Sequence, residues 1–299
     1  MMFIKRILPS ATSFFGYLLY TLAVLLFLLW YKFPADAVKI RVEQDLNRMN
    51  PALRWDVGQI RFFPPAAVQL NDIRISGTKK KEHLLTVNAL SLRPNLLLWK
   101  KTGELAARYR LHLLDGTVSG QLRMTKDHAA ISYDGDIKEV KIDGDRLEKL
   151  LQEYDRTVSL VVSGSFTGGG SLSTHFVNTA QGRLRLGKGI ISLQEPVLGM
   201  ERLEFDQATA KVLYDDSGIL HIEEGTMTSR SLSSEFSGTL HPVTPCALSK
   251  IRLQGSLEPR PEFLASIGNP ILVELVKRQL MDDGLPFTIN GTLREPGIV

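Results

Sequence analysis

Hydrophobic and polar positions along the 299-residue chain fall into three successive patterns. The first is a window without charge, the 25 residues from Ile7 to Tyr31, bounded by Arg6 and Lys32. From Phe14 to Tyr31 only Gly16 and Thr21 interrupt its apolar and aromatic run. As a helix the window reaches about 37 Å at 1.5 Å per residue, and a hydrocarbon core needs roughly 20 apolar residues. The pattern predicts a transmembrane helix whose apolar surface is Phe14, Phe15, Leu18, Leu19, Leu22, Val24, Leu25, Leu26, Phe27, Leu28, Leu29 and Trp30. Tyr17 and Tyr20 towards one end, and Trp30 and Tyr31 at the other, are placed as interfacial aromatics. A cleaved signal peptide is the competing reading, but its apolar stretch is about 7–15 residues. Ala35-Asp36-Ala37 imitates a cleavage site, yet it follows Pro34 and opens a helix. Lys5 and Arg6 precede the span by a short segment and the bulk follows it. This favours a cytoplasmic N-terminus and a body on the other side.

The second pattern is helical and covers residues 32–51. Pro34 sits near a first helical position, Asp36 and Glu43 follow, and Val38, Val42, Leu46 and Met49 recur at helical spacing until Asn50-Pro51. Such a helix lies along the membrane or packs on the body, and the two do not exclude each other.

The third pattern, residues 52–299, has period two. Trp55 and Val57, then Ile60 and Phe62, alternate with polar residues, as do Val68 and Leu70, then Ile73 and Ile75. The parity slips inside each set require a turn or a bulge, because one residue reverses the buried face. Alternation recurs through Leu111–Leu113, Val118–Met124, Leu184–Leu186, Val212–Tyr214, Leu220–Ile222, Ile251–Leu257 and Phe287–Leu293. Asp115-Gly116, Asp134-Gly135, Asp143-Gly144, Gly168-Gly169-Gly170 and Ser217-Gly218 read as the turns between strands. Connections this short predict antiparallel pairing. Helical spacing returns at Leu147, Leu150, Leu151 and Tyr154, and from Phe263, Leu264 and Ile267 through Pro270 to Leu280. Both read as covers over the apolar face of a sheet. A phrase of Gly, a small or polar residue and an apolar one recurs at irregular intervals, as in Gly120-Gln121-Leu122 and Gly238-Thr239-Leu240. Its irregularity excludes a fixed-period solenoid or propeller. The fold class is therefore mainly β, one large curved antiparallel sheet (an open sandwich or groove) behind an N-terminal transmembrane helix, with two or three short amphipathic helices.

Composition changes this picture little. A net charge of +4 is too small to argue for nucleic acid. The single cysteine, Cys246, excludes an intrachain disulfide and a cysteine-built zinc site. Gly182 to Lys188 fits the first seven positions of a phosphate-binding loop, but Gly189 stands where the magnesium-binding hydroxyl belongs. Arg183-Leu184-Arg185-Leu186 is strand alternation instead, so no nucleotide is expected. The six histidines are scattered, and no G-x-S-x-G elbow occurs. Asp134 and Asp136 sit beside Gly135 as turn acids would. Lys79-Lys80-Lys81 reads as a solvated loop tip, or as a contact with anionic lipid. No catalytic, metal or cofactor residue is singled out.

An N-terminal anchor, a short helix, then Val57-Gly58-Gln59-Ile60 through Pro64 to Asn71-Asp72-Ile73 resembles the opening of AsmA-like envelope proteins. Towards the C-terminus, Ile251 to Pro259 with Gly255, then Gly268-Asn269-Pro270, then Gly284-Leu285-Pro286 to Gly291-Thr292-Leu293 resembles the type II secretion system protein N family in its delta-proteobacterial form. The resemblance covers about residues 1–76 and 238–296, and rests on the ordered set Pro64, Asp72, Gly255, Pro259, Pro270, Pro286 and Gly291. It implies a single-pass inner-membrane protein with a periplasmic β body and a non-enzymatic role among secretion-system envelope proteins. The wider AsmA-like group implies the alternative, a lipid-transfer module with phospholipid in an apolar β-groove. About fourteen strands at about 4.8 Å would extend only about 65 Å, which argues against spanning an envelope alone.

Overall fold

Two-residue alternation is realised as one antiparallel sheet. The computed structural model describes residues 11–32, 34–49, 53–64, 66–78, 83–127, 129–144, 158–171, 177–197, 200–243, 248–266, 274 and 284–298. Helix α1 (Ala11–Tyr31) and helix α2 (Ala35–Met49) precede the strands β1 (Leu53–Phe63), β2 (Ala67–Gly77) and β3 (His83–Pro94). A short helix α3 (Leu96–Thr102) leads to β4 (Leu105–Leu113), β5 (Gly116–Met124), β6 (Ala130–Asp143) and β7 (Val158–Ser171). Then come β8 (Thr179–Leu186), β9 (Gly189–Val197), β10 (Met200–Phe205), β11 (Gln207–Tyr214), β12 (Leu220–Thr228), β13 (Leu232–His241) and β14 (Lys250–Pro259). Helix α4 (Pro261–Ser266), β15 (Leu285–Thr292) and β16 (Pro296–Ile298) complete the order.

Among the described residues sixteen strands form a single sheet, fourteen of them on one unbroken path from β1 to β16. Each strand on the path pairs with its neighbour in sequence, except that β8 pairs directly with β11. The β9–β10 hairpin lies off the path, joined to the start of β7 through Val158–Ile191 and Ser159–Ile190. Sixteen strands exceed the ten or so that an open sheet usually carries before it curls.

The parity slip is carried by a matched pair of irregularities. Val57 pairs with Ile73 and Gln59 with Asn71, leaving Gly58 and Asp72 opposite one another. Asp72 takes the left-handed conformation (φ 53°), which Asp tolerates better than a branched residue. A Cβ on Gly58 would come within 2.8 Å of the Asp72 Cβ, so the close approach demands glycine. Both strands slip at the same level, and their apolar sets return to one face. Asn88 continues the line into β3, where Val87 pairs with Ile73 and Ala89 with Asn71.

The tightest core sits at this end of the sheet. Val57, Ile60, Leu70, Ile73 and Val87 are buried together, with Val38 and Val42 of α2 packed against them. Helix α2 also closes the edge of β1: Glu43 Oε1 accepts from the Val57 amide at 2.8 Å and Asn47 Oδ1 from the Trp55 amide at 2.9 Å. These donors face away from β2, and an uncovered edge would offer them to another chain. The helix thus packs on the sheet, the one of its two compatible placements that the structure describes.

Two of the expected turns are not turns. Asp134-Gly135 lies inside β6, where Gly135 pairs with Gly120 and Phe166. Gly168-Gly169-Gly170 lies inside β7, opposite Tyr133, Ser132 and Ile131. Both glycine sites make room for side chains rather than for a chain reversal. Leu114-Asp115, both at positive φ, and Ser217-Gly218 do reverse the chain. The expected helix at 145–157, that at 270–280 apart from the helical Glu274, and Pro270, Cys246 and Lys79-Lys80-Lys81 lie outside the described residues.

Among the described residues no helix is long and apolar enough to cross a membrane. In α1 the side chains of Leu26, Leu29 and Trp30 lie outside them, and the longest unbroken run is Phe14–Leu25. Phe14, Phe15, Leu18, Leu19, Leu22, Val24, Leu25, Phe27 and Leu28 are all exposed.

Replacing Glu43 by Leu removes the acceptor of the Val57 amide and should cost about 1–3 kcal/mol. Glu43→Gln, which keeps an oxygen in place, should lose less. Urea denaturation of the full chain with amide exchange at Val57 checks this; equal losses for both variants would contradict it.

Candidate functional site

The inward positions of successive strands line up in register, so the sheet has one apolar face from end to end. Leu92 faces Tyr109, Leu111 faces Val118, Leu122 faces Tyr133, and Val118 faces Ile137. Val140 then faces Val162, which faces Leu186; Leu184 faces Ala210; Val212 faces Ile222; and Leu240 faces both Leu220 and Ile251. Their neighbours point the other way: Arg183 and Arg185 alternate with Leu184 and Leu186 and are exposed. The loop-like Gly182–Lys188 run is thus a strand and its turn, as its alternation predicts.

Burial along this face is uneven. Val57, Ile60, Leu70, Ile73 and Val87 beside α2 are buried, as are Ile131, Val140 and Ala208 further along, whereas Val118, Leu122, Tyr133, Ile137, Phe166, Leu184 and Val212 stay half-buried. Phe263 of α4 is buried at 2% exposure near the far end. Among the described residues the helices that pack most extensively on the sheet are α2, on β1, and α3, on β4.

Curvature brings these half-buried residues together. The Tyr109 phenol donates to the Asp134 carbonyl at 3.0 Å, crossing from β4 over β5 to β6. Two strand spacings are about 9.5 Å, so the ring must lie along the sheet rather than stand on it. It can do so because Gly120 and Gly135 beneath it have no Cβ; one added at Gly135 would strike both the Tyr109 hydroxyl and the Phe166 ring. A Cβ at Gly120 would overlap the Asp134 carbonyl, so β5 and β6 approach at a sharp bend, a known use of glycine in strands. The same packing recurs between Tyr133 and Gly168, and between Phe236 and Gly225. Tyr133 and Phe166 rings meet at 6.3 Å, tilted by 54°. Of the glycines in the recurring phrase, Gly225 lies under an aromatic ring, whereas Gly120, Gly164, Gly238 and Gly255 meet the backbone of the next strand.

The floor of this trough is uncharged at neutral pH. Burial, then the Asp134 and Asp136 carboxylates, push the Tyr109 phenol above its ordinary value. Burial and the neighbouring Tyr214 do the same for Tyr133. Charges keep to the outer face, where Lys211 meets Glu223 at 2.7 Å and that hydrogen bond raises the ammonium's pKa. A second outer concavity of about 800 Å³ is lined by Arg54, Asp56, Asp72 and Arg74.

Among the described residues no group of three His, Cys, Asp or Glu could hold a metal ion. Asp134 and Asp136 lie on the outer face of β6, not in a turn. The tightest acid–histidine contact, Asp215 Oδ2 to His221 Nε2 at 2.7 Å, organises the β11–β12 turn. Asp215 Oδ1 also accepts from the amides of Ser217 and Ile219. Comparison with protein-family models, curated proteins and solved structures finds no match for this chain.

The residues singled out by resemblance are dispersed. Pro64 is in the exposed β1–β2 turn, Asp72 is half of the matched irregularity with Gly58, Pro259 ends β14 opposite Leu232, and Pro286 is exposed on β15. Gly255 faces Phe236 and Phe287 on the apolar face, and Gly291 (φ 131°) opens the β15–β16 reversal. They shape the sheet and do not form one site. Sequence reasoning missed α3, whose signal was the run Leu96-Leu97-Leu98-Trp99 between Pro94-Asn95 and Lys100-Lys101.

Gly135→Val should destabilise the full chain by about 1–3 kcal/mol through overpacking against Tyr109 and Phe166; an unchanged urea midpoint would contradict the ring-over-glycine packing. Hydrogen bonds from the Ile219 amide, and then from His221, hold the Asp215 carboxyl below its ordinary value. A depressed folded pKa stabilises the turn above the ordinary carboxyl range, and the contribution is lost as pH falls through the folded value. The Ser217 and Ile219 amide resonances should therefore hold position down to about pH 4 and move only below it. Movement centred above that pH would contradict the assignment.

Proposed function

We propose that this protein is a membrane-anchored, non-enzymatic envelope component whose curled sheet receives acyl chains along its apolar face. The observation that carries the reading is the continuity of that face from β4 to β13, in register, neutral and half-accessible. Phospholipid tails are the ligand whose chemistry matches an apolar floor between charged outer surfaces.

The anchoring part of the reading rests on α1. Its 21 residues carry no charge and expose Phe14, Phe15, Leu19 and Phe27 at 57–68%. At 1.5 Å per residue it is about 31 Å long, close to a hydrocarbon core of about 30 Å. Water is a poor surrounding for such a helix, and a bilayer is a good one. With Lys5 and Arg6 on the cytoplasmic side of an inner membrane, the sheet stands in the periplasm.

A second reading is an assembly component of a type II secretion apparatus. It is favoured by the ordered residues Gly255, Pro259, Pro286 and Gly291, which resemble the protein N family. On that reading the outer face of the sheet meets other secretion-system envelope proteins.

Native mass spectrometry of the gently extracted full chain separates the two. Phospholipid should accompany the wild type and be lost from Leu184→Asp and Val212→Asp, with cooperative thermal unfolding retained. A lipid-free wild type contradicts the acyl-chain reading. Blocked export of secreted enzymes in a deletion strain supports the secretion reading, and normal export contradicts it.

A further inference from the structure

Helix α3 is built to show apolar side chains to its surroundings. None of its residues is buried, and Leu96, Leu97 and Trp99 are 47%, 74% and 54% exposed. This is not a frayed segment. Asn95 Oδ1 accepts from the Leu98 amide at 3.2 Å, the Thr102 hydroxyl donates to the Leu98 carbonyl, and Gly103 closes the helix in the left-handed conformation. A helix capped at both ends holds its apolar residues outward at a cost that an occupant of that surface would offset.

The surroundings indicate which occupant. Lys100 and Lys101 occupy the last turn and Arg93 precedes the helix, against Glu104 alone. Next to it, Phe63 of the β1–β2 turn is 45% exposed. Phe63, Pro64, Arg93 and Leu96 share a notch of about 430 Å³. Tryptophan and leucine flanked by lysines is the composition of a segment lying in a headgroup layer, aromatic inward and ammonium on phosphate.

Topology places the same layer there. The β1–β2 turn, the end of β3 and the start of β4 share one end of the sheet, since Phe63 pairs with Ala67 and Pro94 with Ala107. Helix α2 runs antiparallel to β1, because Asn47 meets Trp55 and Glu43 meets Val57. Its first residue, Ala35, therefore points to that same end, and Lys32 at the close of α1 is three positions before it. The anchor and α3 reach the same side of the body by separate routes.

We propose that α3 and the β1–β2 turn are a second membrane contact, with Leu97 and Trp99 in the headgroup region of the bilayer that α1 enters and Lys100 and Lys101 on anionic phosphates. The inference rests on α1 being a bilayer anchor, and it orients the sheet. The mouth of the trough at this end is held against the lipid surface instead of swinging on a free tether.

Depth measured by spin labels tests it on the full chain, carrying Cys246→Ser, in bilayers of phosphatidylethanolamine and phosphatidylglycerol. Labels are placed at Leu97→Cys, at Leu25→Cys in α1, and at Asp115→Cys in the hairpin at the opposite end of the sheet. The oxygen-to-nickel accessibility ratio at position 97 should exceed that at 115 severalfold and stay below that at 25. Lys100→Glu with Lys101→Glu should lower it towards the value at 115. A water-like label at 97 beside a deep label at 25 overturns this contact and leaves the anchor standing. A water-like label at 25 overturns the anchor itself. Concentration-dependent dipolar broadening at 97 would assign the surface to a second copy and overturn the lipid contact.

Discussion

A strand sends alternate side chains to opposite faces, and in an antiparallel sheet held in register every apolar residue arrives on the same one. That constraint governs this protein, because its fourteen-strand path has no second sheet among the described elements to receive the face so formed. The Gly58–Asp72 pair shows how strictly it operates. Both strands slip together, so Val57 and Ile60 stay on the side of Ile73 and Leu70. Had one slipped alone, half of the buried cluster would point to water.

An open sheet faces two physical problems, an unpaired edge and an unshielded apolar face. The first edge is met by α2, which supplies a carboxylate and an amide oxygen to the free donors of β1 while its valines extend the core. The face is met by curvature. Rings from Tyr109, Tyr133, Phe166 and Phe236 lie over glycines on neighbouring strands, removing apolar area from water without a second layer. What curvature leaves is a half-accessible, neutral trough with charges outside it, a shape and polarity suited to hydrocarbon tails. Along the strand path it extends about 65 Å, so its reach depends on what it stands on. The start of α2 and the capped, apolar α3 lie at one end of the strands, where the proposed membrane contacts would give the trough a base.

Much of the architecture was legible in the residues. Period-two alternation announced the strands, short connections announced their antiparallel order, and the slip near Gly58 announced a turn or a bulge, realised as the matched irregularity of Gly58 and Asp72. Glycine was where legibility failed. Asp134-Gly135 and Gly168-Gly169-Gly170 have the composition of turns, and nothing local distinguishes a glycine that reverses the chain from one that lies under a ring. The distinction is held by Tyr109 and Tyr133, dozens of residues away in sequence or on the next strand. Helix α3 was hidden for a related reason: seven residues are too few for periodicity, and exposure of Leu97 and Trp99 is a property of the fold alone. The surface proposed to take acyl chains was legible only in part. Alternation identifies which residues face inward, as at Leu184 and Val212, but how wet that face remains depends on curvature.

A photoreactive residue placed at Leu184 and, separately, at its outward neighbour Arg185 tests the central claim most directly. After irradiation of living cells the adducts on the full chain are identified by mass. The account predicts phospholipid on the label at 184 and none at 185. Lipid at neither position, or at both alike, would contradict an apolar trough that holds acyl chains.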